Sequence, residues 1–242
     1  MDNKDSGIQD ILGIKPIGKA INTCTKAAVD GASAFLSRIC LPVAEEFGLL
    51  LQDKVRGWRT KNLINIIDKA RQLHDDLGLR NVHAHPRIVS LIVEHGSWVE
   101  EENIQLMWAG LLASSCTADG KDDSNLIFIN LLSQMTYLQA CLLNYFCKKA
   151  DKQVDKNGLI YSRELLINVD ELQEITGTSD VQRLDRELDH LRSLQLILEG
   201  FMIDTSSLVA RATPTALALH LYARCNGSLK SPADFFGLKG PQ

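Results

Sequence analysis

Residues 168–222 read NVDELQEITGTSDVQRLDRELDHLRSLQLILEGFMIDTSSLVARATPTALALHLY, and the punctuation of this stretch decides the fold. Asn168 stands before Val169-Asp170-Glu171 as a helix cap would, and Gly177-Thr178-Ser179 supplies a turn. From Asp180 the residues Val181, Leu184, Leu188, Leu191 and Leu194 recur at three- and four-residue steps, which predicts a helix with one buried stripe. The segments 196–199 and 208–211 then read as two short strands around a tip holding Gly200, Asp204 and Ser206. Thr213-Pro214 caps a last helix through Leu217, Leu221 and Tyr222. Helix, turn, helix, two-stranded wing, helix is the layout of a winged-helix domain.

Working outward, apolar helical segments at 125–134 and 136–149 precede this stretch, followed by a loop through Asp155-Lys156-Asn157-Gly158. Thr117-Ala118-Asp119-Gly120-Lys121-Asp122-Asp123-Ser124 is polar and reads as a linker. Upstream of it, Ser97-Trp98-Val99-Glu100 fits a capping box, and Ile104, Met107, Trp108, Leu111 and Leu112 share one helix face. His85-Pro86 opens a shorter helix that Gly96 closes. Before that, a long helix from Glu45 carries the stripe Phe47, Leu51, Val55, Trp58, Ile66, Ala70 and Leu73, so Trp58 and Trp108 both read as core anchors. A small-residue helix precedes Pro42, which should interrupt it. The expectation is a mainly α chain: an N-terminal helical bundle with a long helix, then a C-terminal winged-helix-like domain with a short two-stranded β-wing. Its expected divisions are a disordered tail at 1–10, an α-helical domain at 11–118, a linker at 119–124, the winged-helix-like domain at 125–227 and a C-terminal tail at 228–242.

The 242 residues, 45% apolar and 23% charged with 16 Gly and 6 Pro, exclude collagen-like, low-complexity and disulfide-scaffold chains. Six scattered cysteines with no C-x-x-C pair and no secretory signal before them read as buried thiols of a cytoplasmic protein. No uncharged apolar run is long enough to span a bilayer.

A net charge of −4 gives no global attraction to nucleic acid. Residues 152–225 hold eight Lys/Arg against eleven Asp/Glu, so Arg183, Arg186 and Arg192 on the recognition-helix candidate are outnumbered by neighbouring acids. A winged-helix DNA-binding regulator using those arginines is the alternative reading, and the charge count makes nucleic acid the less favoured partner. Positive charge collects instead at 53–71, net +4, against net −6 between Glu94 and Asp123. Those helices would neutralise one another, while the basic, Gly/Ala-rich segment 11–51 is a candidate for contact with an anionic inner-membrane surface.

Chemistry is sparse. His83, His85 and His95 lack a second ligand pair at metal spacing, and Glu100-Glu101-Glu102 sit where acids favour a helix start. Walker, G-x-G-x-x-G and G-x-S-x-G patterns do not occur. The reading is therefore a non-enzyme with no catalytic residue, no cofactor, no metal and no evident small-molecule substrate.

Two stretches carry a resemblance. Val43-Ala44-Glu45-Glu46-Phe47-Gly48-Leu49-Leu50-Leu51-Gln52-Asp53-Lys54-Val55-Arg56-Gly57-Trp58-Arg59, then Lys61-Asn62 and Lys69-Ala70, is one, and Ser97 through Leu112 with Gln105-Leu106-Met107-Trp108-Ala109-Gly110-Leu111-Leu112-Ala113 is the other. Together, across roughly 11–150, they resemble the bacterial abortive infection alpha family, and the C-terminal winged-helix-like part is similar to the usual ending of such chains. The resemblance implies a helical protein associated with defence against phage, working through a protein partner, self-association or a membrane surface, and it brings no catalytic residues. The positions it singles out are Glu46, Gly48, Arg56, Trp58, Arg59, Glu101, Trp108 and Leu112. Pairing of Arg56 and Arg59 with the acids of 100–102 would make the two motifs one internal interface.

Overall fold

The chain is mainly helical, as the three- and four-residue spacing of its apolar residues requires. The computed structural model describes residues 26–43, 54–76, 78, 81–202 and 207–238, with side chains from Gly57 onward in the helix that starts at Lys54. The chain divides into two compact units, Met1–Ile129 and Asn130–Gln242.

Within the first unit α1 spans Lys26–Ile39, α2 Lys54–Asp76, α3 Pro86–Gly96 and α4 Glu102–Ser114. Helix α2 packs most extensively against α4 and also against α1 and α3. Phe35 and Leu36 of α1, Leu63, Ile66 and Ile67 of α2, Ile88 and Ile92 of α3, and Leu111 of α4 are fully or almost fully buried. Burial of each such side chain contributes about 1.5–3 kcal/mol before chain entropy is subtracted. Helix α1 ends three residues before Pro42, in keeping with the interruption expected there. Its apolar stripe, Val29, Ala32, Phe35, Leu36 and Ile39, is buried in this unit, while residues 11–25 and 44–51 of the candidate membrane segment lie outside the described residues.

His85 caps α3 by accepting the Arg87 amide at Nδ1, and Pro86 takes the first helical position, as the sequence predicts. A short antiparallel pair, β1 (His83–Ala84) with β2 (Cys116–Thr117), ties the entry of α3 to the exit of α4. Gly120 follows at φ +65°, where a Cβ would stand 2.8 Å from the His83 Cβ, so the tight return past β1 needs glycine. Residues 119–124 make this return within the first unit.

Helix α5, Leu126–Ser133, carries the chain across the boundary between the units. The second unit then runs α6 (Tyr137–Lys149), β3 (Lys152–Val154), β4 (Ile160–Ser162), β5 (Leu166–Asn168), α7 (Val169–Thr176), α8 (Val181–Ser193), β6 (Val209–Arg211), α9 (Ala216–Cys225) and α10 (Pro232–Phe235). The loop at 155–158 is the tip of a hairpin, with Lys152, Gln153 and Val154 of β3 opposite Ser162, Tyr161 and Ile160 of β4.

Asn168 caps α7 by accepting the Glu171 amide, Gly177 closes it at φ +69°, and Asp180 caps α8 by accepting the Arg183 amide. The inner stripe of α8 is buried at Leu184, Leu188 and Leu191. Strand β6 is central: it pairs with β5 through Leu166–Arg211, Ile167–Ala210 and Asn168–Val209. Its other side takes the extended stretch 196–202 through the Phe201–Ala210 bridge and the Met202 amide on the Val209 carbonyl. The β5 partner is absent from the sequence reading, and the cap of α9 is Thr215, two residues beyond the expected Thr213. Ala218 donates its amide to the Thr215 hydroxyl, whereas the Thr213 hydroxyl is taken by the Leu165 amide.

Candidate functional site

The long helix was expected to hold Trp58 in the core, and the structure corrects this: Trp58 is 36% exposed. It stands in the first turns of α2, and the buried stripe begins one turn later at Leu63 and Ile64. Its indole meets that of Trp98, itself 54% exposed, at 6.1 Å between ring centroids and 57° between planes.

Trp98 belongs to the connection 97–101 between α3 and α4, and that connection is clamped. Ser97 is buried and terminates α3, with its amide on the Val93 carbonyl and its hydroxyl donating to the Glu94 carbonyl. Arg59 donates from Nε to the Ser97 Oγ at 3.0 Å, and its guanidinium lies 4.3 Å from the centroid of the Trp98 ring. Asn62 donates to the Ser97 carbonyl at 3.2 Å, and Gln105 reaches back from α4 to the Val99 carbonyl at 2.9 Å.

The expected capping box at Ser97–Glu100 does not form. Ser97 serves the helix that ends there, and α4 starts at Glu102 with Glu101 at the cap position making no side-chain cap bond. The two motifs do meet, through Arg59 on Ser97 and Trp98. Among the described residues, the ion pair from α2 to the acids of 100–102 is Lys69–Glu102, at 3.6 Å. Glu46 and Gly48 lie outside the described residues, and Arg56 is placed by its backbone on the first turn of α2.

Trp108 is 1% exposed, and the His95 ring stacks on it at 6.2 Å and 17°. Leu112 is buried beside it on α4, so these two positions hold the core and Glu101 remains on the surface. Sequence reasoning missed Trp98 as a surface group. The available signal was that Trp98 falls outside the stripe from Ile104 to Leu112 and lies close before the acidic run Glu100-Glu101-Glu102.

In the second unit, Arg183 lies 3.8 Å from Glu187 and Arg192 2.8 Å from Asp189, and Arg186 is exposed on the same helix. Arg211 on β6 is held between Glu164 and Glu199, each at 2.7 Å. Glu187, 5% exposed, accepts from the Thr136 hydroxyl at 2.9 Å and the Gln139 amide nitrogen at 2.7 Å. His190 completes the group with Nδ1 at 3.1 Å from the Gln139 Oε1. The link itself is not evident in the sequence, because Thr136 and Gln139 lie about fifty residues from Glu187 and His190.

Burial pushes the thiols of Cys116 and Cys147 up to about 12, which keeps them protonated and unreactive at neutral pH. Among the described residues no group of three or more His, Cys, Asp or Glu could hold a metal ion. No helix among them is long and apolar enough to cross a membrane.

Residues 61–207, more than half of the chain, match the family model described as abortive infection alpha. The chain belongs to the abortive infection alpha family. No curated protein and no solved structure matches it. The abortive infection alpha segment begins after Trp58 and Arg59, later than the resemblance drawn over 11–150, and continues through α8 into the C-terminal part that also resembles such chains. Trp98, Glu101, Trp108 and Leu112 therefore lie inside the matched segment, as do Lys61-Asn62 and Lys69-Ala70 of the first motif, whereas its run from Val43 to Arg59 lies before it.

Proposed function

We propose that this abortive infection alpha protein acts in phage defence by contact, with no bond-making step of its own, through the face built from Trp58, Arg59 and Trp98. One observation carries the reading. Trp98 is half exposed yet held by neighbours on both sides, Arg59 and Asn62 from α2 and Gln105 from α4. Tryptophan and arginine are the residues whose removal most often abolishes an interface, and an anchor fixed in advance loses little freedom on binding. The cytoplasm is the compartment that suits the buried, protonated thiols.

We also read the second unit as a winged-helix module used for contact. Strand β5, helices α7 and α8, the hairpin of 196–202 with β6, and helix α9 follow in the order that such a module uses. Arg183, Arg192 and Arg211, which a DNA reader would direct at phosphates, each face a carboxylate of this same unit. A low-salt gel shift with mixed duplex DNA is expected to show no retarded band, and a retarded band lost in Arg186→Ala would restore the DNA-binding alternative.

The defence role is tested by challenging a bacterial host with a phage panel. Wild-type protein, expressed with its genomic neighbours, is expected to reduce plaque counts, and Trp98→Ala to lose the protection at equal protein level. Plaque counts unaffected by the wild type would remove the defence role. Protection undiminished in Trp98→Ala would remove the face.

A further inference from the structure

The charges around the Trp58–Trp98 pair are not evenly spread, and their arrangement identifies an occupant. On the α2 side, Lys61 is exposed one turn beyond Trp58, and helical periodicity places it on the flank of α2 away from Asn62 and Arg59, which hold the connection. At the end of α3 and along the connection that carries Trp98, Glu94, Glu100 and Glu101 are exposed. The aromatic pair thus joins an element that exposes a lysine, α2, to a connection that exposes glutamates.

We infer that this face is an isologous interface between two copies of the chain. A two-fold axis through the aromatic centre sets the lysine flank of each copy on the glutamate flank of the other, so one patch supplies both halves of the contact. Trp98 of each copy then covers the Trp58–Trp98 pair of its mate, removing from water the apolar area that each copy alone leaves exposed. The opposed charges fix the register and speed encounter more than they add affinity. The inference rests on reading this face as a contact surface. It does not rest on the role in phage defence.

Sedimentation equilibrium of the full-length protein across the micromolar range tests it. The wild type is expected to dimerise reversibly, and Trp98→Ala to weaken the dimer at least about tenfold, as loss of an interfacial anchor does. Lys61→Glu and the double variant Glu100→Lys/Glu101→Lys are each expected to be more monomeric than wild type. Their equimolar mixture is expected to recover the dimer, because every flank in the mixed pair then faces its opposite. Helical circular dichroism of each variant confirms folding, and recovery in the mixture itself requires folded partners. A monomer at every concentration, or a dimer indifferent to all three variants, overturns the inference. Loss of phage protection in Trp98→Ala together with a strictly monomeric wild type would overturn the second copy as occupant while leaving the contact function standing.

Discussion

His74 shows how much one residue of the first unit depends on its surroundings. It is 0% exposed, its ring meets Phe35 edge-on at 5.7 Å, and Nε2 lies 3.2 Å from the Ala113 carbonyl. In the tautomer with the proton on Nε2 that bond is a donation, and Nδ1 is left buried without a hydrogen-bond partner. Burial pushes its pKa below the usual 6.5; the Ala113 carbonyl opposes the shift, the Arg38 charge adds to it, and Asp75 opposes it. Well above pH 6.5 the ring is neutral both folded and unfolded, so it contributes no pH dependence there. Below that value the unfolded chain takes up a proton that the folded chain refuses, and stability falls as pH falls toward the lower folded value. All three tryptophans lie in the first unit, so their fluorescence reports its unfolding alone. Urea midpoints followed by that signal are expected to drop between pH 7.5 and 5.5, and to drop less in His74→Gln, which can keep a donor for Ala113 without titrating. Equal drops in the two proteins would show that His74 is not the group responsible.

At the scale of the element, one four-residue pattern has opposite outcomes at two places in the chain. Thr136-Tyr137-Leu138-Gln139 forms a complete capping box at the start of α6: the Thr136 hydroxyl accepts the Gln139 amide, and the Gln139 side chain accepts the Thr136 amide. Ser97-Trp98-Val99-Glu100 matches the pattern equally well and forms none of it, since Ser97 is committed to closing α3 and to receiving Arg59. Thr136→Ala is expected to destabilise the second unit by about 1–2 kcal/mol, the usual effect of losing such a cap with, here, one donor to buried Glu187. Thr136→Ser should stay within a few tenths of a kcal/mol of wild type. Urea melts followed by circular dichroism check both values, and a neutral Thr136→Ala would mean that the box adds nothing to α6. The contrast also marks where sequence reading stops. Local signals placed α3, α7 and α8, because Pro86, Asn168, Gly177 and Asp180 act on the backbone within a few residues of themselves. What escaped was non-local: β5 on β6 is a pairing of Ile167 with Ala210, and the exposure of Trp58 follows from where the packing between α2 and α4 begins. Of the candidate face, the sequence offered Trp58 and Arg59 as named positions but assigned Arg59 to the acids, when the planar guanidinium had an indole and a hydroxyl to satisfy it.

At the scale of the whole molecule, the two units differ in how they are closed. The first is a packing of helices around α2 and α4. The second wraps α7, α8 and α9 on α6 and closes the core with a small sheet. Phe146, Leu143, Leu172, Leu188 and Leu219 are all fully or nearly fully buried, and every one of them belongs to residues 130–242. A unit with its own buried core can fold alone, provided that the cut leaves its elements whole. The boundary at Ile129–Asn130 falls inside α5, so a fragment cut there would begin in mid-helix. A fragment from Asp122 to Gln242 keeps α5 intact and starts in the polar segment ahead of it. It is expected to show helical circular dichroism and one cooperative urea transition, and Thr136→Ala should lower its midpoint as it does in the full chain. A non-cooperative melt would mean that the core around Phe146 depends on residues before 122. Retention of the transition together with loss of the Thr136→Ala effect would place that cap outside the cooperative unit, contrary to its link with Glu187 on α8.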